Sequence, residues 1–373
     1  RSGSRSDGTR TASVDFVFSY NSGSNLEKFL VSWSGVDGAL VEHNYADPVG
    51  TVHGNGLWPF NSDDSVVQFN DMRSCRGGAD GHGYDADFNS HNSLFQYNYS
   101  QDCTGGAFVA TCNGEKDSNF NTSPTFRYNV SVNDGWRTGK GHSVYLNGCV
   151  SDVKVYNNTF YYAVSGLETH PVEVNNWGEV WPKDIEIKNN IWRITDGTTA
   201  WVNLSEINGL VMDSNVYSGL LTAPPQEVNA ITTTPVFVNE GGSNADDYRL
   251  YADTQLSGVG VEIANNGARD YFGNAVNVDT APTPGAHEIQ TDTSVINDPN
   301  ASNDVIINGV KVIKSAKGVN LALTQTASDA TKDFYNDSTS QQWTIIHLSN
   351  GNHNIVNLAT GHYLRQSASG SEA

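Results

Sequence analysis

The feature that most constrains this chain is a short run of alternating apolar residues that ends in asparagine and returns along two-thirds of its length: ALVEHN, SVVQFN, SLFQYN, TFRYN, VKVYNN, IEIKNN and LVMDSN. The closing residues are Asn44, Asn70, Asn98, Asn129, Asn158, Asn190 and Asn215, at spacings of 26, 28, 31, 29, 32 and 25 residues. That is the length of one three-strand coil of a β-solenoid with variable turns. An inward Asn at the same turn of every coil bonds to its neighbours above and below and satisfies backbone groups that the turn leaves unpaired. A general preference of Asn for turns is the competing explanation, but it does not fix the apolar alternation before each Asn. The repeat predicts an all-β parallel solenoid of about seven or more coils with an asparagine ladder.

Composition agrees with many short strands and tight turns: 36 glycines, 10% aromatic and only 17% charged residues. A net charge of −20 repels a phosphate backbone, so nucleic acid is excluded as a partner. The same field disfavours a strongly anionic polymer unless calcium or a basic patch screens it, and a neutral or lightly charged glycan is easier to accommodate. No stretch approaches the roughly 18 apolar residues of a membrane span. A solenoid that hides its own edges needs no second copy, so a monomer is expected.

Four cysteines occur, none in a CxxC pair. Cys75 follows Asn70 by five residues and Cys103 follows Asn98 by five, which stacks them on adjacent coils about 4.8 Å apart, within bridging range. Cys112 and Cys149 then pair by elimination. Two disulfides imply an oxidising, extracellular compartment and a secreted protein.

The coils fade after Asn215. Residues 233–290, with TTPVFVNEGG, DYRLYADTQL and PTPGAHE, read as a cap over the open end of a unit spanning 1–290. The polar, aperiodic run 291–304 reads as a linker. From Val305 to Ala373 the QQW element, a hairpin and GHYL resemble a ricin-type β-trefoil lectin, over about half of such a domain. The resemblance implies a partial carbohydrate-binding domain, and with no cap preceding the first coil we expect a portion of a longer enzyme.

Outward polar residues on consecutive strands are where a β-helix carries chemistry. In DGHGYDADFN, residues 80–89, strand alternation turns Tyr84, Ala86 and Phe88 inward and leaves Asp85 and Asp87 side by side on the outer face, with Asp80 and His82 nearby. Residues i and i+2 have Cβ atoms roughly 6.5 to 7 Å apart, compatible with either stereochemical outcome of glycoside hydrolysis. One aspartic acid would protonate the glycosidic oxygen while the other activates water, mutual repulsion raising one pKa. This chemistry requires no cofactor. Calcium held by the DxD pair and ordinary solvated turn acids are the alternatives, and the metal, if any, is left open.

A second polar strand, GKGHSVYLNG, turns Val144 and Leu146 inward and His142, Tyr145 and Asn147 outward. Counting back 16 residues from the ladder gives His82, Asn113 and His142, a column across three coils. A histidine beside a tyrosine suits β-elimination of a uronate, with Arg137, Lys140 or Arg73 neutralising the carboxylate. Trp58, Trp136, Trp177 and Trp181 offer rings on which sugar faces stack, against the plainer role of packing under loops. Glu168, His170 and Glu173 belong to a long-coil insertion whose role is open.

The run from Val52 to Cys112, above all GNGLWPFNSDDSVVQFN, DGHGYDADFNSHNSLFQYNYSQD and GGAFVATC, resembles the right-handed parallel β-helix proteins of polysaccharide-degrading bacteria, the pectate-lyase-like superfamily that also holds several glycoside hydrolase families. The resemblance implies the fold, activity on a carbohydrate and a polysaccharide partner. GHG at 81–83 matches one polygalacturonase element, but the accompanying NTD and RIK motifs are missing. Three functions therefore follow in order. They are an endo-acting glycoside hydrolase using Asp85 and Asp87, with an algal or sulfated glycan such as fucan among the candidate substrates; a polysaccharide lyase using His142 and Tyr145; and a non-catalytic glycan-binding solenoid.

Overall fold

The structure is a computed structural model. It describes residues 14, 16–78, 80–113, 120–137, 141–251, 255–276 and 280–290, together with four strands beyond residue 304. The chain divides into two compact units, Arg1–Gln290 and Thr291–Ala373.

The first unit is a parallel β-solenoid of about six turns, built from sheets of eleven, eight and seven strands in which every pairing is parallel. The middle residue of each repeat faces inward in register: Val41, Val67, Phe95, Phe126, Val155, Ile187 and Met212 stack coil on coil and are essentially fully buried. Burying these stems removes water from a continuous apolar column, at roughly 1.5–3 kcal/mol per large side chain.

The asparagine ladder is present and longer than the repeat implies. It begins at Asn21 and continues through Asn44, Asn70, Asn98, Asn129, Asn158, Asn190 and Asn215. The Oδ1 of each accepts both the backbone N–H and the side-chain amide of the preceding member at 2.9–3.1 Å. Glu227 ends it, taking the Asn215 backbone and amide N–H groups on its two carboxylate oxygens. The residue before each Asn, from Tyr20 and His43 through Phe69, Tyr97 and Tyr128 to Ser214, sits at a φ of 50–57°. This left-handed conformation costs a non-glycine residue of order 1 kcal/mol, and the ladder's buried hydrogen bonds oppose that cost at every corner.

Both disulfides form, Cys75 to Cys103 as the spacing requires and Cys112 to Cys149 as elimination leaves them, with Cα atoms 4.2 and 5.0 Å apart. Two disulfides, and no helix among the described residues long and apolar enough to cross a membrane, fit a secreted or extracellular protein.

The described residues of 233–290 run along the flank of the solenoid, where Phe237, Tyr248 and Leu256 pack on Val130, Tyr161 and Val216 of the eight-stranded sheet. Arg127 Nη1 reaches the Asn265 carbonyl and Tyr97 Oη the Arg269 carbonyl. The cause lies in the outer faces of the strands after each ladder Asn, such as Val130 and Val132 of Val130–Val132 and Thr159 and Tyr161 of Thr159–Tyr162, which are largely apolar and need an outer cover.

In the second unit the strands Val305–Ile307, Trp343–His347, His353–Asn357 and Tyr363–Leu364 pair antiparallel in sequence order. The other residues on which the trefoil reading rests, and those of the expected linker 291–304, lie outside the described residues.

Candidate active site

The seven-stranded sheet carries the site. Its strands His82–Ala86, Gly106–Cys112, His142–Gly148 and Glu168–Asn175 stack so that Asp85, Val109, Tyr145 and Glu173 form one outward row. Thr111, Asn147 and Asn175 form the next row. Above these rows lies a cavity of about 520 Å³ walled by Asp80, His82, Asp85 and Asp87 on one side and by Tyr145, Asn147, Asn175 and Trp177 on the other. Gly54, Asn55, Trp58 and Phe88 complete it. Its volume lies within the range of about 300–1,000 Å³ usual for small-ligand clefts.

Asp85 and Asp87 both face this cavity, but neither is an exposed carboxylate: they are 4% and 9% accessible. Asp85 Oδ2 accepts the Asn55 amide at 2.7 Å, and its buried Oδ1 has no protein partner. Burial, with the neighbouring charges of Asp87 and Asp80, pushes the Asp85 carboxyl well above the ordinary range. Burial likewise raises Asp87 to about 7, against the opposing hydrogen bond from the Phe88 N–H and with Asp80 adding to the rise. Asp80 is the more solvated of the three, and its Oδ2 accepts the Gly54 N–H at 3.1 Å. Phe88, expected inward, lines the cavity and packs edge-on against Phe60, because the strand ends at Ala86 and alternation ends with it.

His82 and His142 are enclosed, each 4% accessible, with rings 5.0 Å apart and Nε2 atoms 2.7 Å apart. The residue between them is Gly106, not Asn113, which follows the end of the Gly106–Cys112 strand. Gly106 stands 23 residues ahead of Asn129, whereas His82 stands 16 ahead of Asn98, so a fixed count across a longer coil lands in the turn. Tyr145 stacks on His142 at 4.3 Å.

Arg137 does not reach the cavity wall as a free cation. Its Nη2 donates to the carbonyls of Gly77 and Asp80 and, at 3.2 Å, to Thr104 Oγ1, holding the loop that carries Asp80. Arg73 is paired with Asp71, 2.7 Å away. Trp136 packs against the core with the Arg76 guanidinium 5.0 Å over its ring, away from the cavity. Lys140 lies outside the described residues. Trp58 is in the wall, its buried Nε1 without a protein acceptor, and Trp177 is 43% exposed at the rim. Among the described residues no three His, Cys, Asp or Glu side chains converge as a metal ion requires.

Asn55 and Gly106 are positions of the candidate site that residue type alone did not expose, and Glu173, whose role the sequence left open, contacts His142 and His170. Asn55 stands 15 residues ahead of Asn70, nearly the offset of His82 from Asn98, so the ladder count carried a signal for it.

No family model matches the chain. Over 296 residues it is 27% identical to the lacto-N-biosidase of Bifidobacterium longum subsp. longum, a glycoside hydrolase. The alignment covers 74% of this chain and 17% of that protein.

Proposed function

We propose that this protein is a secreted glycoside hydrolase that cleaves a glycosidic bond in the cavity of the seven-stranded sheet. The observation that carries the reading is the convergence of Asp80, Asp85 and Asp87 on one cavity wall opposite Tyr145 and Trp177. Glycoside hydrolysis needs one carboxylic acid to protonate the leaving oxygen and a second carboxylate for the other face of the sugar. Asp87, raised to about 7, carries a proton near neutral pH and is the donor. Asp80, partly solvated and hydrogen-bonded by a backbone N–H, supplies the second carboxylate. Asp85, held by the Asn55 amide, is itself pushed well above the ordinary range by burial and by the charges of Asp87 and Asp80, and lines the cavity beside the donor. Trp58 and Trp177 present rings to the apolar faces of the saccharide.

The distant likeness to a lacto-N-biosidase supports a glycan bearing a lacto-N-biose unit as the first substrate to test, ahead of the algal polysaccharides. The β-elimination alternative has little support, since both ring nitrogens of His142 are engaged and Arg137 is committed to backbone carbonyls. The test is incubation with lacto-N-biose-terminated oligosaccharides and with neutral, uronic and sulfated polysaccharides, reading reducing ends and the ultraviolet absorbance of unsaturated products. New reducing ends that disappear in Asp87→Asn support hydrolysis; unsaturated product that survives in Asp87→Asn overturns it.

A further inference from the structure

A row of hydrogen-bonded groups runs across the coils beside the cavity. Asn55 Oδ1 accepts both the His82 backbone N–H at 2.9 Å and His82 Nδ1 at 3.0 Å. His82 Nε2 meets His142 Nε2 at 2.7 Å. His142 Nδ1 lies 3.3 Å from Glu173 Oε2, which His170 Nδ1 also contacts at 2.8 Å. His170 Nε2 lies 3.6 Å from Glu168, which is 49% exposed.

The donor and acceptor roles along this row are fixed by its first member. The His82 backbone N–H can only donate, so the Asn55 oxygen faces it and the Asn55 NH2 faces Asp85. His82 Nδ1 faces that same oxygen and carries a proton. A neutral His82 then has a bare Nε2, so His142 Nε2 supplies the proton between the rings. With that proton spent, a neutral His142 turns a bare Nδ1 toward the Glu173 carboxylate, and two acceptors face each other. The conflict is removed by one additional proton, whether it sits on His142 Nδ1, on His82 or on Glu173.

We propose that His82, His142, Glu173 and His170 form a positioning relay that binds one extra buried proton directly behind the Asn55 amide that holds Asp85. The charged and titratable groups facing it are Arg137 on the His82 side, Tyr145 over the His142 ring, Asp85 beyond Asn55, and Glu168 at the solvent end. Gly106 allows the two rings to meet: a Cβ there would collide with the His142 carbonyl.

Burial lowers the proton affinity of both His82 and His142, with Arg137 adding to the effect, while Glu173 opposes it at His142. The extra proton is therefore bound as pH falls below the ordinary histidine range, about 6.5, and is lost as pH rises. The consequence for turnover rests on the reading of the cavity as a glycosidase site; the bound proton does not.

Glu173→Gln separates the two. A glutamine with its NH2 at the Oε2 position donates one N–H to His142 Nδ1 and the other to His170 Nδ1, whose Nε2–H then faces Glu168, completing the row with no extra proton. The experiment is nitrogen-15 NMR of the histidine rings in wild type and Glu173→Gln across mildly acidic to neutral pH, with hydrolysis measured on the same samples. The expected result is that the wild type shows a proton shared by the two Nε2 atoms and loses one proton from the cluster as pH rises. Glu173→Gln shows no such loss, and the limb of the pH–rate profile that follows it in the wild type is absent. Identical ring titrations in the two proteins, or two neutral rings at every pH where the wild type is folded, would overturn the relay. A glutamate-dependent titration in a protein that cleaves no glycan would leave the relay standing and remove the hydrolase reading.

Discussion

His82 and His142 lie Nε2 to Nε2 at 2.7 Å although a whole coil separates the strands that carry them. Successive parallel strands are about 4.8 Å apart, so two rungs leave a gap of nearly 10 Å, and the rings bridge it over the one position with no side chain. Gly106, with φ of 149°, occupies that position.

Gly106→Ala is therefore expected to destabilise the fold by about 2 kcal/mol or more, since the new methyl meets the His142 carbonyl in a backbone conformation unfavourable to alanine. Urea unfolding measures the loss, and an unchanged midpoint would show that the rings tolerate separation.

Replacing either carboxylate assigned to chemistry acts on turnover. Asp87→Asn and Asp80→Asn should each lower kcat/KM on the order of 10²–10⁴-fold, the range for loss of a general acid or its partner. Steady-state hydrolysis of a cleaved glycan checks this, with circular dichroism confirming that the solenoid remains.

The buried acid also sets a pH dependence of stability. Asp87 titrates near the ordinary 3.8 when unfolded and about 7 when folded, so between those values the folded protein binds more protons than the unfolded chain. Stability from this group is present at low pH and is lost as pH rises through about 7. Asp87→Asn should therefore gain thermal stability over wild type at about pH 8 but not at about pH 4, a difference that melting curves at both pH values reveal.

The ladder gives a positional contrast. Asn129 donates to Phe95, Arg127 and Asn158 and accepts from Asn98, all from a buried position, whereas Asn21 sits partly exposed at the end of the row. Asn129→Ala should cost about 3 kcal/mol or more and Asn21→Ala about 1, because buried groups left unsatisfied cost about 1–3 kcal/mol each and exposed ones turn to water. Equal denaturation midpoints for the two variants would contradict this.

Trp177, at the cavity rim, is expected to act through binding. Trp177→Ala should raise KM up to about tenfold with little change in kcat, as expected for a stacking contact of about 0.5–1.5 kcal/mol at the rim.

The coil repeat, the ladder and the Cys75–Cys103 disulfide were legible in the primary sequence because each depends on offsets from one fixed corner: Asn70 and Asn98 carry Cys75 and Cys103 at the same distance, and Cys112 and Cys149 followed by elimination. Asp85 was legible from the short-ranged alternation of its strand, His82–Ala86, and Asp87 follows directly after that strand ends. The counting failed where turn length varied, which put Asn113 in place of Gly106, and where alternation stopped, which turned Phe88 to the cavity. The flank cover from within 233–290 left a trace in apolar outward positions such as Val130 and Val132, but nothing local says which distant segment will lie there.

What the sequence alone determined is a stack of coils with an inward asparagine at each corner and a wall of aspartates on one face, since these follow from period and parity. Tertiary structure decided which side chains from different coils meet: His82 with His142 across Gly106, Glu173 with both His142 and His170, and Arg137 with backbone carbonyls rather than the cavity. Those contacts depend on how far each coil's loops carry the chain before it returns to the sheet, and that distance is set by packing.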